Sequence, residues 1–368
     1  MLIVILFIVF AFLYSKNDTC RNFFDKYIFR KEVDSEKLPY IEVDSSKNVN
    51  VCAYGKHIAI LDQNQLKIYN KNAKQEHVLD VEINNPIFES NNDYLCVAEK
   101  GGQKIYLISN KNIVWQKEIE GNISSININK NGYVSVTISG ASYKAIVQIF
   151  DSKGNELFKK YLSATNVIDT DISNDNKYLA IAEANFSGIV VQSNIEIISI
   201  EDAKSNSSEP IKYMYAAKQD DLIINIKYNN KNELICMYDK HIDLFDEGEN
   251  SEIVNFENEN ILFADINLSS KFIKIVQKNS GILNSEIELQ IINSSNKNIN
   301  TYKVENTPKK VSVQDDMIAI NLGTSILFVN DNGWLVKKYQ SSEEIQKVVL
   351  CNNIAGIIYK DKIKIVSL

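Results

Sequence analysis

The side chains that could carry chemistry are few and scattered along this chain of 368 residues. His57 and His241 adjoin strands that lie far apart in the sequence, and His77 stands on an outer strand. The three are therefore not predicted to converge on one metal ion. The glycine pair Gly101-Gly102 has no helix after it, and no G-x-S-x-G element occurs. The residues predict no catalytic set, no metal site and no cofactor.

One acidic segment, which begins at Asp169, places oxygen ligands at alternate positions in the manner of a calcium loop. Its sixth position is Asn174 and its twelfth is Ala180, where such a loop requires glycine and a bidentate glutamate. We therefore interpret the segment as a β-turn capped by its own side chains. Asp169 and Asp171, together with Asp265, are predicted to line a central channel.

Four of the five cysteines fall in apolar strands, where a thiol behaves as a small hydrophobic group: Cys52, Cys96, Cys236 and Cys351. No C-x-x-C pair occurs, and the count is odd. A disulfide between Cys52 and Cys351 is an alternative, because the two are predicted on neighbouring innermost strands. The cysteines otherwise predict packing and not redox chemistry.

Composition excludes one class of partner. The chain carries a formal net charge of −7 and shows no basic stripe, whereas proteins that track phosphates present clustered lysine and arginine. Nucleic acid is therefore excluded as a partner. Hydrophobic residues make up 45% of the chain, which is enough apolar material for a folded core.

The elements that must position these residues repeat eight times along the chain. Each repeat consists of short strands with alternating apolar residues, joined by turns rich in Asn, Asp and Gly. The first apolar residues of the innermost strands are Val49, Ile87, Ile123, Val167, Leu222, Ile261, Val311 and Ile345. Their spacing averages about 42 residues, which is a blade-length period. The sequence predicts an all-β fold, an eight-bladed β-propeller, with seven blades as the alternative if two weak repeats merge.

The last repeat has only three strands before the chain ends. One unclaimed strand, residues 40–44, precedes the first repeat and is predicted to complete the last blade. This pairing closes the ring and removes two open sheet edges, which would otherwise invite association. We therefore expect a monomeric propeller.

An apolar segment, residues 1–14, precedes the propeller and contains no charge or turn former. Fourteen helical residues span about 21 Å, less than the ~30 Å hydrocarbon core, so a cleaved signal peptide is the alternative to an anchor. No small-x-small cleavage site follows, which favours an uncleaved transmembrane helix. The predicted domains are an anchor with a juxtamembrane helix at residues 1–30, a linker at 31–39 and the propeller at 40–368.

Basic residues follow the apolar segment and none precedes it. On this pattern alone, the positive-inside rule would place the propeller in the cytoplasm. A basic segment upstream of Met1 would reverse the orientation, and the shortness of the apolar segment favours that interpretation. We therefore expect a single-pass protein of the cell membrane with an extracytoplasmic propeller.

Two stretches resemble known propellers. Residues 169–182 read DTDISNDNKYLAIA, which is similar to the D-x-S-x-D-x-K-x-L-A turn of WD40-like and related bacterial propellers. With the N-terminal anchor and the C-terminal residues 354–368, IAGIIYKDKIKIVSL, the chain resembles a clostridial family of membrane-anchored propellers of unknown function, within the WD40-like and quinoprotein-like superfamily. The resemblance implies a fold and an anchor, and it supplies no catalytic residues.

Loop length distinguishes the two faces of the predicted ring. In a four-stranded meander, the loops between second and third strands share a face with the loops that connect blades. The long loops at residues 184–194 and 277–285 fall on this face, and binding commonly resides in long loops on a rigid scaffold. We name it the long-loop face. The linker is predicted to enter at the opposite, short-loop face.

Two classes of function are compatible with these features. The first is a membrane-tethered binding or scaffold module with a protein or cell-wall partner at the long-loop face. The predicted contacts for this partner are Phe186, Ile189, Tyr213 and Tyr215. The second is an enzyme that acts on a glycan or cell-wall substrate through channel carboxylates. A convergent cluster of buried ionisable groups at the channel would favour the enzyme.

Overall fold

The repeats fold into eight sheets that form the blades of a propeller, in a computed structural model of the chain. The structure describes residues 10, 13, 14, 24, 28, 29, 31–33, 35–44, 49–140, 142–218, 221–279 and 285–368. The predicted eight-bladed fold is confirmed, and the seven-bladed alternative is wrong. Each innermost strand begins within two residues of the position that the sequence predicts.

Two short strands precede the first blade: β1 (Glu32–Val33) and β2 (Tyr40–Glu42), with a 3-10 turn at Ser35–Lys37 between them. β2 pairs antiparallel with the last strand of the chain and places Ile41 opposite Ile363. The predicted closure of the ring is therefore confirmed, with a strand that is shorter than residues 40–44.

The first four blades follow the chain, with the first strand of each at the channel and the fourth at the periphery. Blade 1 consists of β3 (Asn50–Tyr54), β4 (His57–Asp62), β5 (Gln65–Tyr69) and β6 (Gln75–Asp80). Blade 2 consists of β7 (Pro86–Asn91), β8 (Tyr94–Glu99), β9 (Lys104–Ser109) and β10 (Asn112–Glu118). Blade 3 consists of β11 (Asn122–Ile128), β12 (Val134–Ser139), β13 (Ala145–Phe150) and β14 (Glu156–Leu162). Blade 4 consists of β15 (Asn166–Ile172), β16 (Tyr178–Asn185), β17 (Gln192–Ser199) and β18 (Ile211–Ala216), with a short helix α1 (Ile200–Lys204) after β17.

The other four blades continue the same order, and the last borrows its fourth strand from the N-terminal segment. Blade 5 consists of β19 (Ile223–Tyr228), β20 (Leu234–Tyr238), β21 (His241–Asp246) and β22 (Glu249–Asn255). Blade 6 consists of β23 (Ile261–Asp265), β24 (Lys271–Asn279), β25 (Ser285–Asn293) and β26 (Ile299–Val304). Blade 7 consists of β27 (Lys310–Gln314), β28 (Met317–Asn321), β29 (Ser325–Asn330) and β30 (Leu335–Gln340). Blade 8 consists of β31 (Lys347–Cys351), β32 (Ile354–Ile358), β33 (Lys362–Ser367) and β2.

The abundant Asn and Asp residues have a structural task in the turns. In the turn after β11, Asn129 Oδ1 accepts hydrogen bonds of 3.0 Å from the backbone N–H groups of Asn131 and Tyr133. A short polar side chain that bonds to N–H groups two and four residues later holds the chain in a turn. The same bonding pattern recurs at Asn70, Asp151, Asn229 and Asn330.

Adjacent blades pack through apolar side chains, and turn glycines make room for aromatic rings. Gly154, in a turn of blade 3, has a φ of +84°, and a Cβ built on it would lie 2.8 Å from the ring of Trp115 in blade 2. Glycine tolerates both the left-handed backbone and this close approach.

Cys52 and Cys351 are buried free thiols, and Cys351 Sγ donates to the carbonyl oxygen of His57. The disulfide alternative is therefore wrong.

The N-terminal segment reaches the propeller at blade 7. β1 pairs parallel with β30, with Glu32 opposite Lys338 and Val33 opposite Tyr339, so part of the predicted linker lies against the propeller. In the part of the chain that the structure describes, no helix is both long and apolar enough to cross a membrane. Most of residues 1–14 lie outside the described residues, and the anchor stays a prediction.

Candidate functional site

The innermost strands surround a central channel of about 900 Å³ that all eight blades line. Glu89 of β7, Asp169 of β15 and Lys227 of β19 contribute charged side chains to it. The channel prediction for Asp169 thus agrees with its position, whereas Asp171 is buried between blades. Asp265 stands at the end of β23, where its Oδ1 accepts a 2.6 Å hydrogen bond from the N–H group of Asn267.

Two carboxylates of blade 4 hold the innermost strand of blade 5. A β-bulge between Val167 and Asp169 aims the following side chains, and alternate residues of a strand point the same way. Asp169 Oδ2 accepts a 3.1 Å hydrogen bond from Ile226 N, and Asp171 Oδ2 accepts a 2.6 Å hydrogen bond from Tyr228 N. The two carboxylates therefore accept hydrogen bonds from backbone N–H groups of β19, as the carbonyl groups of a neighbouring strand would do within a sheet.

The same carboxylates share one lysine. Lys227 Nζ lies 3.8 Å from Asp171 Oδ1, and the charge of Asp171 raises the pKa of Lys227. Burial raises the pKa of Asp171, and Lys227 opposes that shift. The lysine is thus held charged beside a buried carboxylate, which stabilises the contact between the two blades.

Two channel carboxyls bind protons near neutral pH. Enclosure by the surrounding blades raises the pKa of Glu89 to about 7, although its side chain faces the open channel. Burial raises the pKa of Asp169 to about 6, and the negative charge of Asp171 adds to the shift. A convergent set of ionisable groups is therefore present, but two of its three carboxylates already bond to the backbone of blade 5.

The turn after β15 is built as the sequence predicts. Ser173 Oγ donates to Asp175 Oδ1 at 2.7 Å and accepts from Tyr178 N at 2.9 Å. Asp175 Oδ1 also accepts from Lys177 N at 3.2 Å. Since these side chains are occupied in closing the turn, the interpretation as a capped β-turn is confirmed.

A second polar cluster, which is not predicted from the sequence, lies between blades 4 and 5 at the long-loop face. His241 Nε2 lies 3.5 Å from Asp243 Oδ1 and 3.9 Å from Asp221 Oδ2. Glu252 stands directly opposite Asp243 on the neighbouring strand. We name these four side chains the His241 cluster. His57 and His77 lie in blade 1, where His57 Nε2 is 3.2 Å from Glu76 Oε2.

One signal in the sequence could have found part of this cluster. Glu247 and Gly248 both have positive φ, as a two-residue type I′ hairpin turn requires. If the strands are paired outward from that turn, Asp243 lies opposite Glu252. Because side chains alternate along a strand, His241 and Asp243 then point to the same side of the sheet. Asp221 belongs to the connection between blades, and no local pattern predicts its approach.

Buried polar atoms without a hydrogen-bond partner are concentrated in blades 4 and 5. Among the described residues, eight buried side-chain nitrogen and oxygen atoms have no hydrogen-bond partner within the protein. Five of them lie in blades 4 and 5: Tyr215 Oη, Asn225 Oδ1, Tyr228 Oη, Asp243 Oδ1 and Glu196 Oε2, the last of which forms an ion pair with Lys160 of blade 3. Buried polar atoms are nearly always paired, so this concentration marks a region that stability alone does not explain.

The structure separates the four predicted contact residues into two pairs. Phe186 and Ile189 lie on the six-residue loop between β16 and β17, where their exposed fractions are 54% and 106%. Tyr213 and Tyr215 lie on β18 and are half-buried. The ring centroid of Tyr215 is 4.5 Å from that of Phe245 in blade 5. The two tyrosines therefore pack between blades, and their role in partner binding stays a prediction.

Comparisons with known proteins concern the fold and the family. No curated protein matches the chain in sequence. The structure of BamB from Moraxella catarrhalis is similar with a TM-score of 0.53 and 9% identity, over 90% of this chain and 99% of that chain. The structure of hydrazine synthase from Kuenenia stuttgartiensis gives a TM-score of 0.47 and 11% identity, over 89% of this chain and 97% of that chain. The model of a family of unknown function, DUF5711, matches residues 29–368, and the chain therefore belongs to the DUF5711 family.

Proposed function

We propose that the chain is a binding module that presents its long-loop face to a partner protein. The observation that carries this proposal is the exposure of Phe186 and Ile189 on one loop of blade 4. Ile189 is as exposed as the residue can be, at 106%, while the strands that flank the loop are largely buried. A loop that served only to connect β16 and β17 would have no need of two large apolar side chains.

The energetics favour a protein partner for this loop. Burial of one large apolar side chain contributes about 1.5–3 kcal/mol, and binding energy concentrates in a few such anchors. The two strands below the loop fix its base, so little conformational freedom is lost when a partner binds there. A cell-wall polymer is the alternative occupant. Its recognition would depend more on polar groups than recognition of a protein does.

We also propose that residues 1–14 tether the module to the cell membrane, with the propeller outside the cytoplasm, as in the clostridial propellers that the sequence resembles. The direction of β1 supports this arrangement. Because β1 is parallel to β30, the chain approaches blade 7 from the end at which fourth strands begin, which is the short-loop face. The long-loop face then points away from the membrane.

Crosslinking in cells tests the binding face. Photoreactive residues at positions 186 and 189 should capture a protein, whereas positions 207 and 296 on the short-loop face should not. Phe186→Ala and Ile189→Ala should weaken capture by a neighbouring photoreactive position, with the melting temperature unchanged because both side chains are exposed. Trp334→Ala is the matched control, since Trp334 is 69% exposed beside the short-loop turn that precedes β30.

Capture only from positions 207 and 296 would contradict the assignment of the face. Capture of cell-wall polymer in place of protein would contradict the class of partner. The tether has its own test: the full chain should stay with membranes after a carbonate wash, and its release would contradict an uncleaved anchor.

The channel supports a second candidate, an enzyme that acts on a glycan or cell-wall substrate. The observation in its favour is Glu89, whose pKa of about 7 suits a general acid at neutral pH. Glu89→Gln should abolish hydrolysis of cell-wall glycan by the full chain, whereas Glu118→Gln on an outer strand should not. Equal rates for the wild type and Glu89→Gln would contradict this candidate.

A further inference from the structure

The His241 cluster gathers its side chains by strand register. His241 and Asp243 are two residues apart on β21 and therefore point to the same side of the sheet. Glu252 faces Asp243 across the β21–β22 pairing, and Asp221 arrives from the connection between blades 4 and 5. Three donor atoms, one each from His241, Asp243 and Glu252, lie within 4.8 Å of one another.

Burial makes this convergence costly without a ligand. His241 is 5% exposed, Asp243 is 6% exposed and Asp221 is 9% exposed. The Asp243 carboxylate bonds to the side chain of Asn250, but its Oδ1 atom, 3.5 Å from His241 Nε2, has no hydrogen-bond partner. An unpaired buried carboxylate oxygen is unfavourable, because the protein must take it out of water without an equivalent bond.

The charges of the cluster are unbalanced. Three carboxylates gather around one imidazole, and the nearby cation is Lys218, whose Nζ lies 3.9 Å from Glu252 Oε2. The Lys218 side chain is 78% exposed and can move into solvent. A single protonated imidazole would leave negative charge in excess, whereas a divalent cation would neutralise two carboxylates and bond to the imidazole nitrogen.

The imidazole is already held in position to bind an ion. The ring of Tyr238 stacks on His241 with a centroid distance of 4.3 Å and an interplanar angle of 14°. The Nε2 atom therefore faces the carboxylates without further rotation. A tetrahedral ion with bonds of about 2.0–2.1 Å holds its ligand atoms about 3.4 Å apart. The 3.5 Å separation of His241 Nε2 and Asp243 Oδ1 already matches this value.

We propose that the His241 cluster binds one divalent first-row transition-metal ion, and that zinc is the ion its donors fit. One imidazole nitrogen with carboxylate oxygens is a ligand set that zinc accepts, while magnesium and calcium prefer oxygen ligands alone. The bound ion joins strands β21 and β22 through His241, Asp243 and Glu252, with Asp221 beside the imidazole. This site goes beyond the proposed binding of a partner and does not depend on it.

Titration of the full chain with metal alone tests the proposal. After treatment with EDTA, the protein should bind Zn²⁺ with one-to-one stoichiometry in calorimetry, and Co²⁺ should give visible absorption of a tetrahedral site. His241→Gln and Asp243→Asn should each weaken Zn²⁺ binding by about 100-fold or more, since loss of even an outer partner of a ligand costs 10–100-fold. Zn²⁺ should raise the melting temperature of the wild type and not of these variants.

The matched control is His57→Gln. His57 also lies beside a carboxylate, Glu76, but Lys111 pairs with that carboxylate, and among the described residues His57 belongs to no group of three possible metal ligands. This variant should bind Zn²⁺ as the wild type does. If His241→Gln does not fold in EDTA, Glu252→Gln at the exposed rim should weaken Zn²⁺ binding while its melting temperature in EDTA is unchanged.

Three results would overturn the proposal. The wild type could fail to bind Zn²⁺ with saturation, in which case the cluster is an imidazolium ion pair. His241→Gln and Glu252→Gln could bind as tightly as the wild type. Calcium could bind more tightly than zinc, which would exclude the imidazole as a ligand.

Discussion

The interface between blades 4 and 5 and the interface between blade 7 and the closing blade 8 differ in how buried polar atoms are paired. Between blades 7 and 8, the Oη atoms of Tyr339 and Tyr359 lie 2.7 Å apart in a buried hydrogen bond, and Ser312 Oγ donates to the carbonyl oxygen of Val348. Between blades 4 and 5, Tyr228 Oη and Asp243 Oδ1 have no hydrogen-bond partner within the protein. The interface between blades 7 and 8 therefore has the paired polar atoms expected of a region that serves stability.

The difference indicates where a ligand would act. The stability of a closed ring depends on its closing blade, because each blade is stabilised mainly by contacts with its neighbours. In the order of the ring, blade 4 lies four blades from the closing blade 8, and blade 4 also carries the loop with Phe186. There the chain retains buried carboxylates and unpaired oxygens that cost stability, as is common at functional sites.

The largest effect is expected from loss of the closing strand. A chain that begins at residue 45 lacks β2, which exposes the edge of β33 and removes Ile41 from an apolar cluster where it is 6% exposed. We expect a much lower melting temperature than for a chain that begins at residue 31. Equal melting temperatures in differential scanning calorimetry would show that blade 8 does not need its fourth strand.

The next largest effect is expected at Asp171. Asp171→Ala should lower the free energy of unfolding by about 3 kcal/mol, because it leaves the buried N–H group of Tyr228 without an acceptor and Lys227 without its nearest anion. Asp171→Asn keeps an acceptor oxygen and should cost about half as much. Urea unfolding measures both values, and an equal loss for the two variants would refute the role of the acceptor.

A matched pair of tyrosines sharpens the comparison. Tyr339→Phe should cost about 1–3 kcal/mol, because it leaves the buried hydroxyl of Tyr359 without its partner. Tyr228→Phe should change stability by less than about 0.5 kcal/mol, since the hydroxyl that it removes has no partner. Urea unfolding of both variants is the measurement. Equal losses would mean that the two regions do not differ as described.

The strands and turns that repeat in each blade could be predicted from the sequence, whereas the side-chain contacts between blades could not. Strand positions, the closing strand near Ile41 and the turn after Asp169 all follow from local alternation and turn chemistry. The bond from Asp171 to Tyr228 N joins residues 57 positions apart, and no pattern within one blade indicates it. Tyr215 shows the same limit, because only the packing of two blades places its ring against Phe245.

The predicted contact residues differ in exposure. Phe186 and Ile189 lie in the loop between β16 and β17, and both are exposed. Tyr213 and Tyr215 belong to the periphery of blade 4, where alternate side chains face blade 5. An aromatic residue on an outer strand is thus as suited to inter-blade packing as to recognition.

The smallest effect is expected in the pH dependence of stability, because its source, Glu89, has an exposed side chain whose interactions are screened by solvent in the channel. Enclosure raises the pKa of Glu89 from 4.5 to about 7, with Lys227 opposing the shift and Asp169 and Asp171 adding to it. Between these two pH values the folded chain binds more protons than the unfolded chain, so stability falls as pH rises through this window and levels off above it.

Glu89→Gln isolates this contribution, because glutamine cannot ionise. Relative to the wild type, this variant should gain stability as pH rises from about 4.5 to about 7, and the difference should be constant at higher pH. Urea midpoints between pH 4 and pH 8 provide the measurement. Tyr339→Phe at the interface between blades 7 and 8 should lower the whole profile without changing its shape, because it removes no group that titrates in this window. Parallel profiles for the wild type and Glu89→Gln would show that the pKa of Glu89 does not change on folding, and a changed shape for Tyr339→Phe would place the titrating group outside the channel.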